Sequence, residues 1–404
     1  MHKSSPNTPQ ERSTSLLLQM VFCALTVVSL LYIPVPILPL LASAYQLPQA
    51  QAGLALGAFG IAYATGFMLF GPLSDRLGRR AVLVGGLTFL TIITLALAWV
   101  DTPGLFIAGR ALQGFAAASF PPVALAYLSE RGTPKQRVWA VAWMSTAFLS
   151  AGLLGQIYGS VVVSRWGFNW ALVPLAVVYA LTALRLSAAP ECVEARRPQS
   201  SLWAGYRHIF TLLADPALRR VYLPALMLLM SFVAFYIGLD MHLGAFFEGG
   251  GVSAMQVRLV ALPAFLAPLL APRLIGRWGP QRVATTGVMI AAIGLVLCAG
   301  AGEKHVVPLL AASVIYVAGV AISVPGLIAC IAASTLPEVR GLAVSFYTFV
   351  LFVGASLGPW LANNSRAWSV ETLFLVLAAG LGAAAMYSTV RGNRGSPVRA
   401  SREA

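Results

Sequence analysis

Charged residues are scarce in this chain of 404 residues. They make up 10% of it, against about 25% in an average soluble protein, whereas 58% of the residues are hydrophobic. The mean hydropathy of +0.80 means that most of the chain prefers hydrocarbon to water. This composition excludes a soluble enzyme with several packed cores, and it also excludes a disordered or collagen-like chain.

Signals for metal or disulfide chemistry are also missing. The four cysteines are far apart and form no C-x-x-C pair, so they indicate neither a disulfide framework nor a zinc site. The sequence has no H-E-x-x-H motif and no cluster of residues with metal-ligand spacing. We therefore expect that the protein is not an enzyme and that it holds no metal or other cofactor.

Long apolar runs are what the chain has in abundance. A helix that crosses the hydrocarbon core of a bilayer needs roughly 20 apolar residues, and runs of that length recur twelve times. They predict an all-α membrane protein with twelve transmembrane helices, and we expect the first to be retained because it is too long for a signal peptide. Spans one to twelve are predicted at 17–43, 51–73, 81–100, 104–128, 138–162, 169–187, 221–243, 255–274, 283–301, 307–333, 340–362 and 369–389.

The basic residues are distributed unevenly between the loops. Of the 27 Lys and Arg, all but five fall on the side of the bilayer that holds both termini and the longest loop. Arg165, Lys304 and Arg366 fall on the other side, and Arg110 and Arg258 fall within spans. The positive-inside rule therefore predicts cytoplasmic termini, in a multi-pass protein of a bacterial inner membrane. The net charge of +14 then indicates contact with anionic lipid and not a nucleic-acid partner.

The longest loop, residues 188–220, divides the spans into two sets of six. We predict six-helix bundles at 17–187 and 221–390, with cytoplasmic tails at 1–16 and 391–404. Apolar residues recur at helical spacing within the loop, which is typical of an amphipathic helix on the membrane surface or of a linker helix. These residues are Leu202, Trp203, Tyr206, Ile209, Phe210 and Leu213.

The two sets of spans resemble each other. The segment Pro134–Val141 shares four residues with the segment Pro337–Val344, 203 positions later, and Gly155 matches Gly358 at the same offset. Residues 71–80 have a weaker echo at 271–279. A near-constant offset predicts a duplicated six-helix unit, that is, a pseudo-symmetric pair of bundles with a site at their interface.

The turn after span two carries a motif. Residues 71–80 read G-P-L-S-D-R-L-G-R-R, which resembles the loop signature of the major facilitator superfamily, G-x-L-x-D-R-x-G-R-R. The twelve spans, the long central loop and the repeat extend this resemblance over almost the whole chain. The resemblance implies that Asp75 latches onto span eleven when the cytoplasmic side is closed.

The residues themselves suit such a latch. Gly71 permits close approach of two helices, and Gly78 suits a tight turn. The alternative is a turn whose arginines only obey the positive-inside rule. The predicted latch comprises Gly71, Asp75, Arg76, Gly78, Arg79, Arg80 and Glu130.

Arg110 is a charge inside span four, where it is expensive and normally faces the bundle interior or a cavity. With Gln113 it forms a run that resembles the R-x-x-Q-G signature of the family, which implies a role in proton coupling or cavity polarity. The alternative is a structural Arg bonded to carbonyl groups. Asp240, near the outer end of span seven, is a second coupling candidate, or it forms a structural ion pair with Arg258.

Small and aromatic residues supply the remaining candidates. Gly152, Gly155 and Gly159 resemble the glycine-rich signature of the antiporters in the family, although Gln156 stands where Pro is usual, and the Gly-Pro pair occurs instead at Gly358-Pro359. These five small residues are also explained by helix packing alone. The candidates for the substrate cavity are Tyr32, Gln156, Phe235, Tyr236, Tyr316 and Tyr347.

The chain looks most like the twelve-span drug–proton antiporters of this superfamily. We expect a monomeric secondary transporter that exports small amphiphilic organic molecules or drugs by alternating access, with protons as the coupling ion and the lipid bilayer as its surroundings. Proton-coupled import of a small metabolite is the alternative. A non-transporting membrane sensor belongs to a different class, and the sequence has no soluble signalling domain to support it.

Overall fold

A computed structural model of the chain describes residues 9–45, 49–188, 215–249, 254–302, 305–335, 339–365 and 367–389, and every regular element in these ranges is helical. The first eight α-helices are Pro9–Tyr32, Leu38–Ala44, Gln49–Leu77, Arg79–Leu97, Pro103–Ala117, Pro121–Glu130, Pro134–Trp166 and Phe168–Ala188. They are followed by the helices Pro216–Gly249, Ala254–Val260, Leu262–Leu270 (a 3-10 helix), Ala271–Trp278, Pro280–Ala301, Val306–Ser334, Arg340–Asn364 and Val370–Thr389.

The prediction of an all-α membrane protein is confirmed. Twelve helical stretches are long and apolar enough to cross a membrane, and they correspond in order to the predicted spans. Span one is shorter than predicted: its helix ends at Tyr32, and a separate helix begins at Leu38, because Pro34 and Pro36 interrupt the backbone ladder. The amphipathic helix predicted around residues 202–213 lies outside the described residues.

Prolines set where several spans begin. Pro103, Pro134, Pro216 and Pro280 are each the first residue of a helix, a position where the missing N–H costs nothing. Thr133 reinforces the start of span five, because its N–H donates to Gln136 Oε1 (2.8 Å) while its Oγ1 accepts the N–H of Gln136 (3.3 Å).

Two spans are interrupted within the membrane. Span four breaks between Ala117 and Pro121, and span eight passes through the 3-10 helix Leu262–Leu270. Pro263 and Pro268 lie in that 3-10 helix and cannot donate to the backbone ladder. Interruptions of this kind are tolerated at membrane depth only where the backbone is buried in protein or lines a cavity.

The chain divides into two compact units. Unit one comprises residues 1–66, 77–127 and 151–196, and unit two comprises residues 67–76, 128–150 and 197–404. Within unit one, spans one and three each pack against spans four and six. Within unit two, span nine packs against spans ten and twelve, and span seven packs against spans ten, eleven and twelve.

The sequence repeat has structural counterparts inside each unit. Gly78 and Gly279 are 201 positions apart, precede spans three and nine, and have φ of +93° and +81°. Positive φ favours glycine, so both turns need this residue. Gly155 lies against Ser29 of span one, and Gly358 lies against Val233 of span seven, which is the equivalent contact.

Glycine packing in unit two yields a stability test. A Cβ on Gly294 would lie 2.5 Å from the backbone nitrogen of Tyr316, where spans nine and ten touch, whereas a Cβ on Gly300 of the same helix would meet no atom within 4 Å. We expect Gly294→Ala to lower stability by about 1–3 kcal/mol through overpacking. Gly300→Ala should be neutral or slightly stabilising. Thermal unfolding of the two purified variants checks this, and equal melting temperatures would contradict the packing described.

Candidate functional site

The turn after span two is built around Gly78 and two arginines. Gly78 adopts the positive φ of the turn and precedes span three. Arg80 Nε donates to the carbonyl of Leu186 (2.8 Å), and its Nη2 donates to the carbonyl of Ser187, so it binds the end of span six within unit one. Arg79 is buried in the same unit. Arg76 is exposed.

Asp75 contacts the beginning of span eleven. Its Oδ2 accepts a hydrogen bond from the backbone N–H of Leu342 at 3.0 Å, and both residues belong to unit two. Leu342 is the third residue of the helix Arg340–Asn364, so its N–H is one of the donors that the helix itself leaves unpaired. A carboxylate at this position is also favoured by the helix dipole.

Close backbone packing continues from this contact along spans two and eleven. A Cβ on Gly71 would lie 2.6 Å from the Cβ of Ser345, and the rings of Phe67 and Phe352 are 5.2 Å apart. The seam from Phe67 to Asp75 thus joins an aromatic pair, a close approach at Gly71 and a charge-assisted hydrogen bond. Glu130 is half-buried at the end of span four, and it belongs to unit two.

Arg110 is fully enclosed in unit one. Its side chain is 1% exposed. Nη1 donates to Gln113 Oε1 at 2.5 Å, and Nη2 donates to the carbonyl of Leu30 in span one at 2.9 Å. The guanidinium carbon also lies 4.3 Å from the centroid of the Phe59 ring. Gln113 in turn donates to Thr94 Oγ1 at 2.9 Å, so spans one, two, three and four are all connected to this one cation.

The other candidates of unit one lie on spans one and five. Tyr32 is half-buried, and a Cβ on Gly152 would lie 3.6 Å from its ring. Gln156 is also half-buried and donates to the carbonyl of Gly152 at 2.7 Å. Gly159 lies against the carbonyl of Ile33. The glycines therefore serve close packing between spans one and five, and Tyr32 and Gln156 form a polar rim beside them.

An aromatic cluster occupies the corresponding part of unit two. The Tyr316 hydroxyl donates to Ser231 Oγ at 3.0 Å, and its ring is 4.9 Å from that of Phe235. Phe235 also lies 5.2 Å from Tyr236, whose ring faces the guanidinium of Arg258 at 5.7 Å.

The remaining candidates of unit two differ in how far they are buried. Tyr347 is buried and its hydroxyl has no hydrogen-bond partner within the described part of unit two. Asp240 is exposed. Gly358 packs closely on span seven, and the side chain of Pro359 lies outside the described residues.

Sequence reasoning missed several partners. Leu30, Phe59 and Thr94 surround Arg110, and Ser345 lies against Gly71. No motif marks these residues, although the small size of Ser345 opposite a glycine is a signal that pairwise inspection of spans two and eleven could have found.

Span eleven contains a sequence pattern that is typical of hydrolases. Residues 354–358 read G-A-S-L-G and match G-x-S-x-G. They lie inside the continuous helix of span eleven, where Ser356 Oγ donates to the carbonyl of Phe352 at 3.0 Å. A nucleophile elbow requires a strand-to-helix turn, so this match carries no catalytic serine.

The twelve apolar helical spans define a multi-pass membrane protein. The family model described as Major Facilitator Superfamily matches residues 20–359. The chain therefore belongs to the major facilitator superfamily. Its members transport solutes, so the chain is a transporter and not an enzyme.

Comparison with known proteins supports the assignment to this superfamily. The chain is 25% identical over 322 residues to the multidrug transporter MdfA of Yersinia pestis (strain Angola), which covers 76% of this chain and 77% of that protein. It is 31% identical over 139 residues to the inner membrane transport protein YajR of Escherichia coli (strain K12), and there it spans only 30% of the relative's length. The proton:xylose symporter XylE has the same fold, with a TM-score of 0.73, 15% identity and coverage of 93% of this chain and 95% of that one.

The contact of Asp75 can be tested by removing its charge alone. We expect Asp75→Asn to weaken the interaction with the first turn of span eleven by about 1 kcal/mol. Transport should fall while insertion into the membrane is unchanged. Asp101→Asn is the matched control, because Asp101 is an exposed acid in the loop before span four. Normal transport by Asp75→Asn would show that the contact does not affect the transport cycle.

The seam at Gly71 gives an independent test. A methyl group at this position would overlap Ser345, so Gly71→Ala should separate spans two and eleven and reduce transport. Gly57→Ala on the same helix should have little effect, because a Cβ there meets nothing within 4 Å. Recovery of transport in Gly71→Ala with Ser345→Gly would assign the defect to this contact. An unimpaired Gly71→Ala protein would refute it.

Proposed function

We propose that the chain is a proton-coupled exporter of small amphiphilic organic molecules. The observation that supports this most directly is the similarity to MdfA, described as a multidrug transporter, across three quarters of the chain. The protein would lie in the bacterial inner membrane with both termini in the cytoplasm, as the distribution of Lys and Arg indicates.

The mechanism proposed is alternating access. In the conformation described, spans two and eleven of unit two are joined by two contacts. These are the hydrogen bond between Asp75 and Leu342 and the close packing of Gly71 on Ser345. Breaking them in the other conformation would cost a few kcal/mol, an amount that can decide which of two states is populated. Substrate binding would then have to provide a comparable difference in affinity between the two states.

The composition of the spans favours amphiphilic substrates. The half-buried candidates Tyr32 and Tyr236 offer aromatic faces with single hydroxyl groups, and Gln156 offers an amide. Tyr316 is fully buried and its hydroxyl is bonded to Ser231. Phosphorylated metabolites would call for several basic residues, whereas Arg110 is the cation farthest from an end in the described spans, and Arg258 is the first residue of its span. Sites of this kind, mostly apolar with a few polar groups, are typical of small organic ligands.

Import of a small metabolite is the second candidate. It is favoured by one specific observation, namely that Gln156 occupies the place of the proline expected in span five of an antiporter. The shared fold with XylE, a proton:xylose symporter, shows that the architecture is also found in symporters, although at 15% identity it supports the fold alone.

Flux in vesicles of defined orientation distinguishes these functions. Inverted vesicles containing the chain should accumulate an amphiphilic probe when their lumen is made acidic, and the accumulation should collapse when a protonophore is added. Vesicles with Asp75→Asn serve as the impaired control. Accumulation only in right-side-out vesicles with an acidic exterior would establish import, and specific binding without flux in either orientation would indicate a sensor.

Asp240 is the coupling candidate to test in the same assay. It is the acid closest to the interior of the second set of spans, and it is exposed. If it carries the proton, Asp240→Asn should retain exchange of probe across the membrane but lose the response to a proton gradient. Glu371→Gln, at the outer start of span twelve, is the matched control. Proton-dependent accumulation by Asp240→Asn would exclude Asp240.

A further inference from the structure

Within the spans, acidic residues lie only near the ends. Of the 13 Asp and Glu in the sequence, those within the candidate spans are Asp75, Glu130, Asp240 and Glu371. Asp75 and Glu130 lie in the last turn of their spans, Glu371 is the second residue of its span, and Asp240 is four residues from the end of span seven. The middle of every span is therefore free of carboxylates.

Arg110 is the cation farthest from a span end in the first set of spans, and among the described residues it makes no contact with an anionic group. Two of its five N–H groups donate, to Gln113 and to the carbonyl of Leu30, and both acceptors are neutral. Nε has no hydrogen-bond partner among the described residues although it is buried. The face of the guanidinium lies over the ring of Phe59.

A cation in this environment favours one type of ligand. A buried charge is unfavourable unless it is paired, and hydrogen bonds between a guanidinium and a carboxylate are about twice as strong as neutral ones. The spare donors of Arg110 therefore suit a planar anion, which could bind through two parallel N–H···O bonds. A permanent cation at the same place would be repelled, and no carboxylate in the middle of the spans could compensate it.

The rim beside this charge suits an amphiphile. Arg110 binds the carbonyl of Leu30, two residues before Tyr32, and the half-buried Tyr32 and Gln156 both lie next to Gly152. The ring of Tyr63 packs against that of Phe59, with centroids 5.5 Å apart, and Phe59 in turn lies against the guanidinium of Arg110. Aromatic rings beside the guanidinium therefore provide an apolar surface for the body of a ligand.

We propose that Arg110 is the anion-binding group of the transport site, and that the substrates are amphiphilic weak acids bound as carboxylates, not lipophilic cations. The transport of these acids rests on the proposed function, but their binding does not. Since Arg110 is enclosed in the conformation described, an anion reaches it when spans one and four rearrange during the transport cycle.

Three probes with one skeleton test this assignment on the unmodified protein. They are 4-phenylbutyrate, its methyl ester and 4-phenylbutyltrimethylammonium, which differ mainly in charge. Binding to the purified chain is measured by thermal shift. We expect the carboxylate to stabilise the protein at a concentration at least tenfold lower than the quaternary ammonium. Equal or stronger stabilisation by the ammonium probe would overturn the proposal.

Flux of the same probes into proteoliposomes separates this proposal from the proposed function. Protein-free liposomes measure the passive leak of each probe. Binding of the carboxylate without protein-dependent flux of any probe would support the anion site and contradict transport. Flux of the ammonium probe at or above the rate of the carboxylate would support transport and contradict the anion site.

Variants assign the preference to one residue. Arg110→Gln should weaken carboxylate binding at least tenfold relative to binding of the ester, and Arg110→Lys should retain part of it because the charge remains. Arg165→Gln removes one exposed positive charge from the same unit and should leave the ratio unchanged. An unaltered ratio in Arg110→Gln would refute the role of Arg110. If Arg110→Gln does not fold, the three probes on the native chain still test the preference for anions, and Arg110→Lys still tests the residue.

Discussion

The free energy of placing a charge in hydrocarbon is the constraint on which this structure depends. It leaves the spans with few ionised groups and moves the basic residues into the loops. It also requires each backbone polar group to be satisfied within its own helix, which explains why every regular element among the described residues is helical. A charge that remains inside the membrane, such as Arg110, must then be held by several spans at once.

With few charges available, the spans are held together mainly by close packing. Water does not drive helices together within a bilayer, so small residues that let backbones approach become important. Gly155 and Gly159 place span five against span one, and Gly71 places span two against span eleven. Such contacts are short-range and are lost when helices separate by a few ångströms. Such contacts suit the proposed mechanism, because a modest displacement of span two from span eleven would release the packing of Gly71 together with the hydrogen bond between Asp75 and Leu342.

The architecture could be predicted from the sequence to a large extent, because it depends on hydropathy and on local turn chemistry. Twelve spans follow from apolar length alone, and the turn at Gly78 follows from a residue that tolerates positive φ. The partners of Arg110 could not be predicted, because the carbonyl of Leu30 is 80 positions away and carries no sequence signal. The break of span one after Tyr32 was not predicted, because a run of apolar residues continues past Pro34 and Pro36, which interrupt the helix.

The two halves of the sequence differ in an informative way. Positions fixed by sterics have kept equivalent roles: Gly78 and Gly279 both form positive-φ turns, and Gly86 and Gly287 lie against Ser119 and Ser323. The acidic residue of the turn has not been kept, because Gly276 stands 201 positions after Asp75, although Arg277 matches Arg76 at the same offset.

A glycine at a backbone contact cannot change without moving two helices, whereas a charged side chain can be lost from one half if the other retains the function. An acidic residue such as Asp75 therefore needs to be present in one half of the sequence only. In the proposed mechanism Asp75 holds one conformation. Arg110 is the cation farthest from a span end in the described part of the first six spans, and we propose that it recognises an anionic ligand.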